Sequence, residues 1–135
     1  MLDTNTVSHL LKSNPTVARR VAAAPMAALC VSSITAGELE FGLAKRPQAV
    51  RLHVAVREFL RRVDVLPWDA KVAARYGGVR ATLERQGRTL GPLDLLIAAH
   101  ALEVGAVAVT NDQAFAQVAE LACEDWTATV EATHP

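Results

Sequence analysis

The stretch Gly91–Asp112, GPLDLLIAAHALEVGAVAVTND, decides the fold. Pro92 at a first helical position opens a helix, and Gly105 closes it. Between them the side chains are apolar nearly all round, which marks a buried helix. Ala106–Thr110, AVAVT, follows as a strand, and Asp112 starts a further short helix. A buried helix feeding a short strand points to α/β architecture.

Outward from that stretch the apolar period keeps switching between helix-like and strand-like spacing. Met1-Leu2 end a very short first strand at Asp3, and a helix follows from Thr4 to about Lys12. Asn14-Pro15 caps a second helix running to Pro25. Ala27–Ser32 reads as a buried strand and Ser33–Lys45 as a third helix. After Pro47 comes a long amphipathic helix with Leu52, Val56, Phe59, Leu60 and Val63 on its apolar stripe. Asp64–Pro67 reads as a strand. Asp69 caps a helix carrying Val72, Tyr76, Val79 and Leu83, which Gly77-Gly78 should weaken or bend. Gly87–Gly91 is a loop, residues near Cys123–Trp126 form an edge strand, and 127–135 reads as a loose tail. The sum is one domain over residues 1–135, with a central, mainly parallel sheet of four to five strands and helices on both faces. In such sheets ligands bind beyond the carboxyl ends of the strands.

The 135 residues can bury a core without staples. Hydrophobic residues make up 51%, too many for a disordered chain. Lys plus Arg and Asp plus Glu each number 14, so no overall field attracts nucleic acid and any RNA contact must be local. Cys30 and Cys123 each lie in an apolar stretch and read as reduced core cysteines. No CxxC pair suggests structural zinc. No apolar run reaches membrane length, and the expected location is the cytoplasm.

Four acids from four segments carry the chemistry: Asp3, Glu38, Asp94 and Asp112. Asp3 and Asp112 fall where a strand ends and a helix begins, on the ligand-binding edge of a parallel sheet. Asp94 lies in the first turn of the buried helix and Glu38 near the start of the third. Each also has a structural explanation. Asp3 and Asp112 read as N-caps, Asp94 as a partner of the helix dipole, and Thr35-Ala36-Gly37-Glu38 has capping-box spacing. Asp94 is hardest to explain away, because its helix heads into the core and the nearest cation in sequence is Arg88. A buried charge is normally paired or bound to metal. Oxygen ligands without a His or Cys cluster favour Mg²⁺ or Mn²⁺. Such a cluster activates water and polarises a phosphoryl oxygen without a covalent nucleophile.

The pieces LDTN (Leu2–Asn5), SSITAGELEFGL (Ser32–Leu43), GPLDLLIAAHAL (Gly91–Leu102) and TNDQAF (Thr110–Phe115) span nearly the whole chain. With these pieces, in this order and spacing, the chain resembles the PIN-domain ribonucleases, specifically VapC-type toxins of toxin–antitoxin pairs. The resemblance implies a three-layer α/β/α PIN-like fold. It makes Asp3, Glu38 and Asp94 an acidic triad, Asp112 a fourth carboxylate and Asn5 and Thr110 polar supports. It also implies Mg²⁺ or Mn²⁺ as cofactor, single-stranded or looped RNA as substrate, and a homodimer. A VapB-like antitoxin would lay an extended or helical segment into the acidic groove.

Glu40 lies two residues from Glu38 and cannot share its face, so it reads as solvated or as a partner of the site. His100 reads as a hydrogen-bonded core histidine, and Ser32 and Ser33 as capping groups. Lys45, Arg46, Arg51, Arg57, Arg61 and Arg62 read first as a solvated face and second as phosphate contacts. A haloacid-dehalogenase-type phosphatase would need a second acid after Asp3, which is absent. A receiver-like signalling domain would need an acidic pair there and a lysine after the last core strand. No lysine follows Lys71. A non-cutting, antitoxin-binding module is the remaining alternative.

Overall fold

The computed structural model describes residues 1–129. Six helices alternate with short strands: α1 Thr4–Leu11, α2 Pro15–Ala23, β1 Cys30–Ser32, α3 Ser33–Ala44, α4 Val50–Arg62, β2 Asp64–Leu66, α5 Ala70–Arg85, α6 Pro92–Val104, β3 Ala108–Val109 and β4 Cys123–Glu124. Single 3₁₀ turns occupy Met26–Ala28 and Gln113–Gln117. Strand β1 pairs in parallel with β2, and β3 with β4.

The two pairs meet at the N-terminal segment. Leu2 N–H donates to Cys30 O at 2.9 Å on one side, and Leu2 bridges Val109 in parallel on the other. Val109 N–H donates to Met1 O, and Asp3 N–H to Val109 O. The spatial order is therefore β2, β1, Met1–Asp3, β3, β4. The pleat puts alternate residues on opposite faces. Leu2, Val31 and Val109 join one core cluster with Val7, Val17, Leu39, Val56 and Phe59 from α1 to α4. Met1 and Ala108 join the other, with Leu83, Leu95, Ile97, Ala98 and Ala101 from α5 and α6. Helices cover both faces, giving the three layers expected.

Local chemistry explains the element ends. Asn14 accepts from Thr16 N–H and Val17 N–H, and Asp69 from Val72 N–H. Gly105 adopts φ 69°, the left-handed cap that stops α6. Three sequence expectations need correction. Helix α5 runs unbroken through Gly77-Gly78, because α6 packs along it and outweighs the local cost of glycine. Strands β1 and β3 are shorter than Ala27–Ser32 and Ala106–Thr110, because Met26–Ala28 coils into a 3₁₀ turn and only Ala108 and Val109 pair with β4. Cys123 is exposed, on β4 at the sheet edge, so it is not a core cysteine, whereas Cys30 is half-buried and packs against the α5–α6 cluster. Of the expected loose tail, residues 130–135 lie outside the described part.

Candidate active site

Three aspartates meet where the N-terminal segment and β3 leave the sheet. Asp3 is 2% exposed, and its Oδ1 accepts from Thr6 N–H at 2.8 Å, capping α1. Asp112 caps the Gln113–Gln117 turn, its Oδ1 accepting from Ala114 N–H at 2.9 Å. Asp112 N–H in turn donates to Thr110 Oγ1 at 3.0 Å, so Thr110 holds the backbone that carries the acid. Asp94 reaches the same place from the first turn of α6, half-buried. Burial pushes its carboxyl above the ordinary range. The charges of Asp112 and Asp3 push it further, as does a hydrogen bond to Asp112.

Glu38 comes from α3. It lines, with Asp94, a recess of about 310 Å³ whose walls also include Thr4, Asn5 and Gly91. The structure thus brings all four predicted acids to one end of the sheet, Asp3 and Asp112 through Asp94 and Glu38 across the recess from it. Asn5 lies on the recess wall and is exposed.

The structural explanations divide. Asp3 and Asp112 are indeed N-caps, each through Oδ1, but Asp112 also meets the Asp94 carboxyl, which a cap alone does not require. The capping-box explanation of Glu38 fails. Helix α3 starts at Ser33 with Ser32 as its N-cap, so Thr35 lies inside the first turn. Thr35 is buried and accepts from Thr4 Oγ1 at 3.2 Å, tying α1 to α3 beside the recess. Glu40 points elsewhere and pairs with Arg57. Arg61 and Arg62 pair with Glu58, so that part of the basic run is the solvated face expected.

His100 is a core histidine as expected. It is wholly buried, with Nδ1 2.7 Å from Ser32 Oγ. Ser33 Oγ accepts from Trp68 N–H, and Ser32 Oγ from Ile34 N–H. Sequence reasoning missed Thr4, Thr6 and Thr35. Thr6 is buried and donates from Oγ1 to Val109 O at 3.0 Å. Nothing in apolar periodicity marks these threonines; only Thr4 and Thr6 are flagged, by their crowding around Asp3 as DTNT.

The donors suit a hard divalent cation. They are all carboxylate oxygens, and every ion pair of the described residues involves other acids. Among the described residues no three His, Cys, Asp or Glu side chains already surround a common ion position. The acids stand as repelling neighbours, which is what like charges without a counter-charge do. A larger cavity, about 620 Å³ between α5, α6 and residues 117–120, has none of the four among its lining residues.

Known proteins with this sequence pattern and shape fall in one group. The PIN domain family matches residues 1–121. The tRNA(fMet)-specific endonuclease VapC of Shigella flexneri is 39% identical over 127 residues, covering 93% of this chain and 96% of that protein. Ribonuclease VapC2 of Haemophilus influenzae is 36% identical with the same coverage. The crystal structure of DNA-bound VapBC from Salmonella typhimurium superposes with a TM-score of 0.86 at 38% identity, covering 93% of this chain and 96% of that one. VapBC-1 from nontypeable Haemophilus influenzae gives 0.84 at 36% identity, covering 95% and 98%.

Proposed function

This chain belongs to the PIN-domain family, among the VapC ribonucleases, and on that premise we propose that it cuts RNA at Asp3, Glu38, Asp94 and Asp112 with a divalent cation. It is the toxin of a toxin–antitoxin pair and partners a VapB-like antitoxin. The observation that carries the site reading is Asp94. It is a half-buried carboxyl pressed by two neighbouring aspartates, with no Lys or Arg paired to it among the described residues. A cation is the missing partner for that arrangement.

Asp3, Asp94 and Asp112 would hold the cation, with Glu38 facing it across the recess. Mg²⁺ or Mn²⁺, when bound, supplies a Lewis acid for the phosphodiester and its attacking water. The chain's own residues do the rest. Thr110 and the two capped turns fix Asp112 and Asp3 in place, so holding a cation would cost little further side-chain freedom. Glu38 is free of any cap and is placed to take a proton from the attacking water. Asn5, on the recess wall, orients water or a phosphate oxygen. The RNA enters as a single strand or loop, the substrate that the family resemblance implies. We place the reaction in the cytoplasm, with its substrate. Exposed Val50 and Val54, one turn apart on α4, offer an apolar face for a second copy in a homodimer.

Purified protein stripped with EDTA should leave tRNA(fMet) and looped RNAs intact, and added Mg²⁺ or Mn²⁺ should restore cutting. Full cleavage in EDTA would sink the metal site. No cleavage of any RNA with either ion would favour the non-cutting, antitoxin-binding alternative.

A further inference from the structure

Building on the ribonuclease reading above, we propose that a basic hollow beside the acidic recess is the seat of the RNA strand next to the cut, with Phe41 stacking a base and Lys12, Lys45 and Arg46 holding phosphates. The hollow measures about 300 Å³ and shares two wall residues, Thr4 and Glu38, with the recess. The two therefore adjoin, and we read them as one channel. Its walls are rows of residues one helical turn apart: Thr4, Ser8 and Lys12 along α1, Glu38, Phe41 or Gly42, and Lys45 along α3. From Thr4 to Lys12 the wall runs about 12 Å at the helical rise. That is room for a short length of strand beyond the scissile phosphate.

The chemistry changes sign along the channel. Glu38, at the shared end, is the only acid lining the hollow among the described residues. Lys12, Lys45 and Arg46 are exposed, and none is ion-paired among the described residues, unlike Arg57, Arg61 and Arg62 nearby. Cations held out of salt bridges remain available for phosphate. Phe41 is 57% exposed, unusual for a phenylalanine in a chain with only three. Lys45 Nζ lies over one face of its ring, 4.6 Å from the centroid. A cation backing an aromatic ring whose body is open to solvent makes a stacking platform for a base of any sequence. Gly42 lines the same hollow, and a Cβ there would touch nothing within 4 Å. The hollow can therefore be filled by substitution without disturbing the helix.

Affinity is read by fluorescence anisotropy with a labelled, mixed-sequence single-stranded oligoribonucleotide in EDTA, where the protein binds without cutting. Phe41→Ala should weaken binding about 5- to 150-fold, the range for loss of one stacked base, and Phe41→Trp should restore it. Lys45→Gln with Arg46→Gln should flatten the slope of log K against log salt by about 1.4, or about 0.7 per cation removed. Gly42→Gln should weaken binding by filling the hollow. Mn²⁺ binding, followed by electron paramagnetic resonance, should stay as in the wild type for all of these variants. If the wild type cleaves RNA but the variants keep its affinity and salt slope, the hollow is not an RNA seat. Loss of antitoxin binding with RNA affinity intact would overturn it in favour of a protein contact. A wild type that neither binds nor cuts RNA would bring down both this assignment and the ribonuclease reading.

Discussion

The two ends of α6 differ in burial and in charge. The first turn of α6 carries Asp94, half-buried and pressed by Asp112 and Asp3. Two turns on, Ala98, Ala99, His100 and Ala101 are completely buried, and His100 is bonded to Ser32. The first turn is held in an unfavourable arrangement by the second region, which packs against α5 and β1. A site that needs repelling charges must be anchored by an element whose stability lies elsewhere.

That contrast can be tested from its strongest consequence downward. Asp94→Asn should remove cleavage by more than the roughly 10- to 100-fold expected for an outer partner of a metal ligand. In EDTA the same variant should raise Tm, because it deletes a charge that burial and like neighbours disfavour. A gel-based cleavage assay and calorimetry read the two effects, and a lowered Tm would contradict the contrast. Ala98→Leu, at the other end, should do the reverse. Overpacking there costs about 1–3 kcal/mol, a Tm fall of roughly 4–12 °C by circular dichroism, with metal affinity kept in the folded fraction.

The pH dependence of stability should show both ends, with opposite signs. Burial holds the His100 imidazole below its ordinary value, although the charge of Asp69 pulls it upward. Its stabilising contribution is present above about pH 6.5 and is lost as pH falls towards its lowered value in the folded protein. Asp94 is raised, so its contribution is complete below about pH 3.9 and is lost as pH rises through its folded value. Denaturant titrations in EDTA should show the acid-side loss disappear in His100→Gln and the rise-side loss disappear in Asp94→Asn. Retention of either slope in its variant would remove that residue from the account. The smallest effect belongs to Gly91→Ala. An added Cβ would stand 3.2 Å from Asp94 Oδ2, so that carboxylate must shift by a few tenths of an ångström. Cleavage should fall less than about tenfold while Tm moves by no more than about 2 °C.

Much of this was legible in the sequence. Pro92 and Gly105 fix α6, Asn14-Pro15 fixes the start of α2, and Asp69 the start of α5, because caps and proline act within a turn of themselves. The acids could be placed at strand ends for the same reason. What was not legible depends on partners far along the chain. Gly77-Gly78 looks like a weak point until α6 is packed beside it. Glu38 looks like half of a capping box until Ser32 takes the cap. Thr35 and Thr4 look interchangeable with any polar pair until α1 and α3 cross. Cys123 looks buried in an apolar run until β4 proves to be the sheet edge.

The Met1–Asp3 segment sits between β1 and β3, hydrogen-bonded on both sides. Met1–Asp3 is thus the middle of the sheet, and its second neighbour arrives only with Val109. During synthesis the segment can pair with β1 early, but its other edge stays open until Val109 has emerged. A half-made polypeptide has Asp3 without Asp94 or Asp112 beside it. On the site proposed above, an unfinished chain therefore lacks two of its four acids.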